Sequence, residues 1–284
     1  MVSPAQRRAT VSWAQDTFGV SERRACRGFT IDRSLIRYGA RKPADHAVRH
    51  RLRELAHARP AFGVKRLHVL LRREGARLNH KKTERLYREE GLQLKPRRRR
   101  KRAALQRRGG TVVTAPNARW AMDFMHDTLA NGTPIRVFTL VDVCTRECVA
   151  LVAALKFAGT DVAQLLNAAG VTRGGLPPVV QCDNGTEFTS TALDHWAYWN
   201  KVQLDFSRPG KPVDNCVCEA FNGSLRRECL SQHWFATLAE AQVMLETWRQ
   251  DYNNYRPHTS LGLQAPAAYF RAGLYQPRAV RAFN

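Results

Sequence analysis

The sequence predicts an α/β layer fold preceded by small all-helical modules. Residues 113–275 read first as strands and then as alternating strands and helices, which is the order of an α/β layer. Residues before 95 carry apolar side chains at helical spacing, with helix-capping residues at the expected positions. With 284 residues, the chain is long enough for one large core and smaller modules.

Positive charge is confined to the first part of the chain. The formal net charge is +22, and residues 1–110 hold 31 Lys and Arg against 9 Asp and Glu, whereas residues 111–284 hold 15 of each. A basic segment joined to a neutral one indicates a polyanion-binding region attached to a second function. A surface that binds polyanions without selectivity is the alternative.

Residues 1–42 are predicted to form a helix-turn-helix-like module. A helix over 5–18 is followed by a glycine-containing turn, and Ser21 is a good N-cap for the next helix. Thr30 or Asp32 would cap a third, short helix. The pattern alone is also typical of many small helical hairpins.

Residues 43–94 are predicted to form a second helical DNA-binding module. Its leucines recur at helical spacing, and basic residues fall mostly off the leucine face. Three helices are expected: between the cap Asp45 and Pro60, over 64–74, and between the cap Asn79 and Gly91.

Residues 95–112 are predicted to be a basic linker. The run KPRRRRKR over 95–102 has seven basic residues in eight and cannot pack a core. We expect its cations to contact DNA phosphates and release condensed counterions, and a solvated spacer is the alternative. The expected contact residues are Arg97, Arg98, Arg99, Arg100, Lys101 and Arg102.

Residues 113–275 are predicted to form the α/β core, followed by a tail over 276–284. A hairpin turn at Asn131 and Gly132 is expected between the first two strands. The expected strands are 120–129, 134–144, 147–154, 178–182 and 202–206. The expected helices are 160–171, 191–200, 213–229 and 238–252.

The seven cysteines are expected to be free thiols. Their number is odd, the chain starts without an apolar signal segment, and no pair has the C-x-x-C spacing typical of zinc sites. No run of about 18 apolar residues occurs, so no membrane span is expected. The expected location is cytoplasmic.

Three acidic residues lie in or directly after predicted strands. Asp123 lies inside WAMDFM, Asp142 inside TLVDVC, and Asp183 directly after PPVVQC. Asp is depleted in strands and a buried charge needs a partner, so each position needs a specific reason. Carboxylates brought together repel unless a proton or cation lies between them, and hard divalent cations prefer oxygen ligands. Taken singly, Asp183 also fits a turn, and Asp142 fits a turn cap or a partner of Arg146.

A predicted helix further along presents an acid, an amide and a cation on one face. Asn222 and Arg226 follow Glu219 by three and seven residues. The loop before this helix, rich in proline and glycine, carries Arg208 and Lys211 towards it. We expect Asn222 and the three cations to contact DNA, and a solvated polar stripe is the alternative.

These residues resemble a known family. WAMDF around Asp123, CDNGTEF around Asp183 and RPGKPVDNCVCEAFNGSLRRECL around Glu219 are similar to the DDE transposases. The 35 residues between Asp183 and Glu219 match the spacing typical of retroviral integrases and related transposases. The segments WRQDYNNYRPHTSLG and FGVKRLHVLLRREG also resemble the second-frame proteins (OrfB) of insertion sequences of the IS-three family. The likeness runs from about residue 20 to 270.

The resemblance implies a ribonuclease H-like integrase catalytic core, with Asp123, Asp183 and Glu219 as catalytic residues and metal ligands. It implies Mg²⁺, for which Mn²⁺ can substitute, with two ions per active site roughly 3.5–4 Å apart. The implied reaction is strand cleavage at insertion-sequence ends followed by strand transfer. The resemblance also assigns Arg226 to the transposon end and leaves Asp142 a structural role.

The partners implied by the resemblance are double-stranded DNA, as terminal inverted repeats and as target, and further copies of the chain assembled on DNA. An upstream first-frame protein is implied as a fusion or partner, and nucleoid association is expected when DNA is bound. Residues 1–110 hold a single cysteine, Cys26, so the zinc domain of retroviral integrases is not expected. Two alternatives stay open: a non-catalytic DNA-binding regulator derived from a decayed transposase, and a purely hydrolytic ribonuclease H-like nuclease.

Overall fold

The protein divides into two compact units, residues 1–48 and 49–284. The structure is a computed structural model, and it describes residues 3–38, 45–95, 113–185, 187–207 and 216–273. The module boundaries expected after residues 42 and 94 stay predictions.

Three helices form the first unit as far as residue 38. They are α1 (Pro4–Phe18), α2 (Glu22–Gly28) and α3 (Arg33–Arg37). Ser21 caps α2 by accepting a hydrogen bond from the Arg24 amide, and Asp32 caps α3 by accepting one from the Ser34 amide. Of the two candidate caps for α3, the chain therefore uses Asp32. A small core holds the three helices together, formed by Val11, Ala14, Ala25 and Cys26.

Three further helices lie where the leucine spacing predicts them. They are α4 (His46–Ala58), α5 (Val64–Arg73) and α6 (His80–Glu89). Asn79 caps α6 by accepting a hydrogen bond from the Lys81 amide, and the chain turns after α6 at Gly91, whose φ is 67°. The buried leucines are Leu52, Leu55, Leu67, Leu71 and Leu86.

A five-stranded mixed sheet forms the centre of the second unit. The strands are β1 (Trp120–Thr128), β2 (Pro134–Asp142), β3 (Cys148–Ala154), β4 (Val179–Cys182) and β5 (Gln203–Phe206). Their order is β3-β2-β1-β4-β5, with the first three strands antiparallel and with β4 and β5 parallel to β1. The β1–β2 turn contains Asn131 and Gly132 as predicted, and Gly132 adopts a φ of 84°.

Helices cover both faces of the sheet. They are α7 (Gly159–Arg173), α8 (Thr191–Asn200), α9 (Cys216–Glu228), α10 (Leu238–Asn254) and α11 (Pro266–Arg271). α7 and α8 pack on the face that contains Trp120 and Met122, and α9 and α10 pack on the face that contains Val137 and Val141. The helix predicted over 213–229 is α9, with 213–215 outside the described residues, and the sequence does not predict α11. No helix in the described part of the chain is long and apolar enough to cross a bilayer.

Candidate active site

Asp123 lies in the middle of β1, on the face covered by α9. Strand side chains alternate between faces, and Asp123 has the parity of Met125, which belongs to the core beneath α9 and α10. Its Oδ1 accepts a hydrogen bond from the Phe124 amide at 2.8 Å, and its Oδ2 accepts one from the Asn222 side chain at 2.8 Å. These two donors hold the carboxylate in one orientation.

Asp183 directly follows β4, the parallel neighbour of β1. Ala121 is paired with Gln181, and this register continued by two residues sets Asp183 beside Asp123. Asp183 also forms the turn that the sequence allows, because its Oδ1 accepts a hydrogen bond from the Gly185 amide at 2.9 Å. The turn holds the carboxylate at the end of the strand, so the structural and catalytic interpretations of Asp183 are compatible.

Helix α9 carries Glu219 and Asn222 on the side of the helix that faces Asp123. Glu219 lies exposed in the first turn, three residues before Asn222, whose Nδ2 donates to Asp123. The Asn222 Oδ1 is buried and has no hydrogen-bond partner among the residues that the structure describes. An unsatisfied buried amide oxygen is costly, so this atom fits an additional cation or donor.

The negative charges of Asp183 and Glu219 act on Asp123. The pKa of Asp123 is raised to about 6, first by burial and then by the charges of Asp183 and Glu219. Hydrogen bonds from the Phe124 amide and from Asn222 act in the opposite direction. The fold therefore brings two carboxylates from distant parts of the chain within electrostatic range of Asp123.

The donor atoms of this cluster are of the type that a hard divalent cation selects. All are oxygens: three carboxylates and the unsatisfied amide oxygen of Asn222. Within the described ranges, however, no three acidic, histidine or cysteine side chains have the spacing that encloses an ion. The donor chemistry thus fits a divalent cation, and binding one requires the acids to approach one another more closely.

Arg226, a predicted DNA contact, is anchored to β1. Its Nη1 lies 3.1 Å from Asp127 Oδ2, and its Nη2 donates to the His126 carbonyl oxygen. The side chain is still 40% exposed, so a face of the guanidinium is open to solvent. DNA contact stays a prediction for Arg226 and also for Asn222, whose amide donates to Asp123.

A second set of side chains, which the sequence does not reveal, supports the site. Arg136 on β2 forms an ion pair with Glu187 and lies over the Phe124 ring, 4.2 Å from its centroid. Phe124 stacks on the buried Phe188 with ring centroids 4.9 Å apart. Because Glu187 and Phe188 follow closely after Asp183, this stack holds the Asp183 segment against β1 and β2. In the sequence, the CDNGTEF motif marks Glu187 and Phe188 of this set, and no motif marks Arg136.

Asp142 does not belong to this cluster. It is the fully buried last residue of β2, and its carboxylate accepts hydrogen bonds from three backbone amides at 2.7–2.8 Å. Its basic neighbour is Arg173, at 3.6 Å, rather than the Arg146 that the sequence suggests. The interpretation of Asp142 as a turn cap is confirmed.

Four buried cysteines are poorly suited to act as nucleophiles. All seven are free thiols. Burial raises the pKa values of Cys148, Cys182, Cys218 and Cys229, which keeps these thiols protonated.

The other predicted DNA contacts lie outside the described residues. They are Arg97, Arg98, Arg99, Arg100, Lys101, Arg102, Arg208 and Lys211.

Family models match most of the chain. Models described as "Integrase core domain" match residues 113–212 and 200–266, and a model described as "HTH-like domain" matches 43–101. Among solved structures, the HTLV-2 integrase catalytic core domain in complex with magnesium is similar over 54% of this chain and 96% of that chain, with a TM-score of 0.44 and 14% identity. The family models identify the α/β layers as a ribonuclease H-like integrase core with an HTH-like region before it, which defines an enzyme of the polynucleotidyl transferase class.

Relatives from insertion elements define the family more narrowly. The chain is 44% identical to the insertion element IS407 uncharacterized 31.7 kDa protein of Burkholderia multivorans, over 91% of this chain and 94% of that protein. It is 39% identical to the insertion element IS476 uncharacterized 39.2 kDa protein of Xanthomonas euvesicatoria, over 97% and 84%. It is 26% identical to the putative transposase InsK for insertion sequence element IS150 of Escherichia coli, over 89% and 94%. The chain belongs to this family, the second-frame transposases of IS-three insertion elements.

Proposed function

We propose that this transposase cuts DNA at the ends of its insertion element and joins the freed 3′ end to target DNA by metal-dependent phosphoryl transfer. Asp123, Asp183 and Glu219 are the proposed catalytic carboxylates and metal ligands. The observation that carries the proposal is the position of Asp123: the register of β1 with β4 sets Asp183 beside it, and Asn222, three residues after Glu219 on α9, donates a hydrogen bond to it. The pKa of Asp123, raised first by burial and then by the charges of Asp183 and Glu219, supports the same grouping.

Mg²⁺ is the proposed cofactor, as two ions for which Mn²⁺ substitutes. Bound divalent cations neutralise the charge on the reacting phosphate and make a hydroxyl group more acidic at neutral pH. The chain itself orients the carboxylates: Asn222 holds Asp123, and the ion pair of Arg136 with Glu187 holds the segment of Asp183. The reaction needs no Ser, Tyr or Cys nucleophile.

The basic first part of the chain is the proposed DNA-binding region. It contains 31 of the 46 Lys and Arg residues and the segment that matches the HTH-like domain. Phosphate contacts would supply affinity, and base contacts would select the terminal inverted repeats. Assembly of several copies on DNA, with an upstream first-frame protein as fusion or partner, completes the proposal.

The proposal is tested with a labelled duplex that carries the element's terminal repeat, incubated with Mg²⁺ and resolved on a denaturing gel. Asp183→Asn should abolish both cleavage and joining, while its DNA affinity in EDTA stays at the wild-type level. Asp194→Asn is the matched control, because Asp194 is exposed in the first turn of α8. Strand joining by the Asp183→Asn protein would reject the assignment.

The same gel separates the two alternatives. Cleavage by the wild-type protein without any joined product would indicate a purely hydrolytic nuclease. Tight binding without cleavage, under every metal condition, would indicate a DNA-binding regulator.

A further inference from the structure

A basic cavity of about 640 Å³ lies beside the candidate active site, along the face of α9 that carries Glu219. α5 contributes to one wall, and the turn after α10 contributes to another. Its lining includes four arginines and one histidine, namely Arg66, Arg146, Arg227, Arg256 and His258, together with the hydroxyl groups of Thr259 and Ser260. The segment around His258 belongs to the YRPHTSLG motif, to which the proposed reaction gives no role.

The carboxylate of Glu228, which does not itself line the cavity, is the ion-pair partner of two of these arginines. Arg256 is buried and lies 2.7 Å from each Glu228 oxygen, while Arg66 Nη1 lies 3.5 Å from one of the same oxygens. Both guanidinium groups also lie near the Phe62 ring, at 5.3 Å for Arg66 and 6.0 Å for Arg256. Among the residues that the structure describes, Glu228 is therefore the one acidic partner that these two arginines share.

Arg146 adds a third positive charge from the turn between β2 and β3. No acidic side chain of the described residues lies within ion-pair distance of its guanidinium, and its own φ is 63°. A left-handed conformation costs a non-glycine residue roughly 1 kcal/mol or more, and such positions concentrate at functional sites. The chain thus holds an arginine in a conformation that glycine would adopt more easily.

The buried imidazole of His258 reflects the resulting positive potential. Its pKa is lowered to about 2, first by burial and then by the charges of Arg256, Arg66 and Arg146. Three cations from separate parts of the fold therefore act on one point in the cavity. His258 stays neutral at physiological pH, so its ring can donate a hydrogen bond or accept one.

We propose that this cavity binds a phosphodiester group of the DNA strand that passes Glu219. The inference rests on the proposed function, which places a reacting phosphate at Glu219. Each DNA strand carries a phosphate every roughly 3.4 Å along the helix axis, so a strand that reaches Glu219 brings further phosphates into a cavity of this size. Guanidinium groups and hydroxyl groups are the usual ligands of a phosphate oxygen.

Arg146 is the best position for a test, because it lies in a turn and no acidic residue of the described ranges forms an ion pair with it. Arg146→Gln removes the charge, and Arg146→Lys keeps it. Lys201→Gln is the matched control, because Lys201 lies away from the cavity. Lys201 directly follows α8 and precedes β5, near the start of β4, whereas Asp183 follows the end of β4. All proteins are full-length, and their melting temperatures are compared first.

Binding of a fluorescein-labelled duplex with the terminal repeat is measured by anisotropy in EDTA over a series of KCl concentrations. Each lost phosphate contact should reduce the slope of log K against log salt by about 0.9. We expect this reduction for Arg146→Gln, no change for Lys201→Gln, and restoration of the slope by Arg146→Lys. A wild-type slope in Arg146→Gln overturns the proposal.

Two further measurements separate this proposal from neighbouring ones. The Asp183→Asn protein should keep the wild-type slope of log K against log salt. A wrong catalytic assignment and a wrong cavity assignment therefore give different results. Titration with inorganic phosphate, followed by the ring resonances of His258, tests a free ion as ligand. The proposal is overturned if inorganic phosphate saturates the cavity while the slope of log K against log salt for Arg146→Gln stays at the wild-type value. In that case the ligand would be free phosphate rather than a DNA strand.

Discussion

At the scale of single residues, the position of Asp123 in the middle of a strand carries an energetic cost. Its pKa of about 6 in the folded chain exceeds the ordinary value of 3.8, because the charged form is buried beside two other acids. The unfolded chain loses this proton more readily than the folded chain does. Stability is therefore lost as pH rises from about 3.8 through 6.

Replacement of this carboxylate should stabilise the metal-free protein. For Asp123→Asn in EDTA, we expect the free energy of unfolding at pH 7.5 to rise by about 1–2 kcal/mol, since one lost hydrogen bond offsets part of the gain. The gain should shrink as pH falls below 6, and it should disappear before pH 3.8 is reached, because the cost of the lost hydrogen bond does not depend on pH. Urea unfolding at several pH values measures it, with Asp194→Asn as the exposed control. A loss of stability at pH 7.5 would contradict a destabilising effect of the buried charge.

In the proposed mechanism, Asn222 affects the reaction by orienting Asp123. Asn222→Ala removes the donor to Asp123 Oδ2, and we expect strand transfer to slow by about 10–100-fold, as for other residues that orient a metal ligand. DNA affinity in EDTA should not change. Asn200→Ala is the control, because Asn200 donates to a backbone carbonyl of its own helix α8. A loss of DNA affinity equal to the loss of rate would instead support the direct DNA contact that the sequence suggested.

At the scale of secondary structure, local signals made most elements predictable. Ser21 and Asn79 cap α2 and α6 because their side-chain oxygens satisfy free amide groups, and that chemistry is visible in the sequence. The strands of the core lie where they are predicted, and their ends differ from the prediction by one or two residues. The face that Asp123 occupies follows from the alternation of side chains between the two sides of a strand.

Contacts between distant elements could not be predicted in the same way. Arg136 pairs with Glu187, and Arg59 on the segment after α4 pairs with Asp251 on α10. A partner 192 residues away leaves no periodicity or cap in the local sequence. The three catalytic candidates were accessible only because family motifs mark them, whereas the supporting arginines lie outside those motifs.

The pair of Arg59 with Asp251 should contribute measurably to stability. Its two hydrogen bonds are 2.5 and 2.6 Å long, and each side chain is less than a third exposed. A double-mutant cycle with Arg59→Ala and Asp251→Ala should give a coupling energy of about 1–3 kcal/mol. The exposed pair of Arg88 with Glu84, 3.8 Å apart, is the control, with an expected coupling below about 0.5 kcal/mol. Equal couplings for the two pairs would show that the helical segment is not held to α10 by this contact.

At the scale of the whole molecule, the positive charge is confined to one part of the chain. The net charge of +22 lies within residues 1–110, while residues 111–284, which contain the catalytic candidates, hold equal numbers of acids and bases. Under the proposed function, the residues that attract DNA are thereby separate from the residues that react with it. The neutral core can then hold a cluster of acids close to a polyanion, because other residues supply the attraction.

Salt dependence of DNA binding should reflect this division. We expect the combined substitution of the six basic residues at 97–102 by Gln to reduce the slope of log K against log salt by several units, since each lost duplex contact is worth about 0.9. The melting temperature should stay unchanged. Substitution of the same number of basic residues after position 111, chosen at exposed sites, should change the slope less. An unchanged slope after the 97–102 substitution would mean that this segment is a spacer.

Diffraction at the manganese absorption edge, on crystals of the full chain with its terminal-repeat DNA and Mn²⁺, addresses the convergence of the three acids most directly. We predict two anomalous peaks roughly 3.5–4 Å apart, within bonding distance of carboxylate oxygens of Asp123, Asp183 and Glu219. Manganese bound elsewhere in the complex, with these three carboxylates separated from it, would contradict a catalytic role for them.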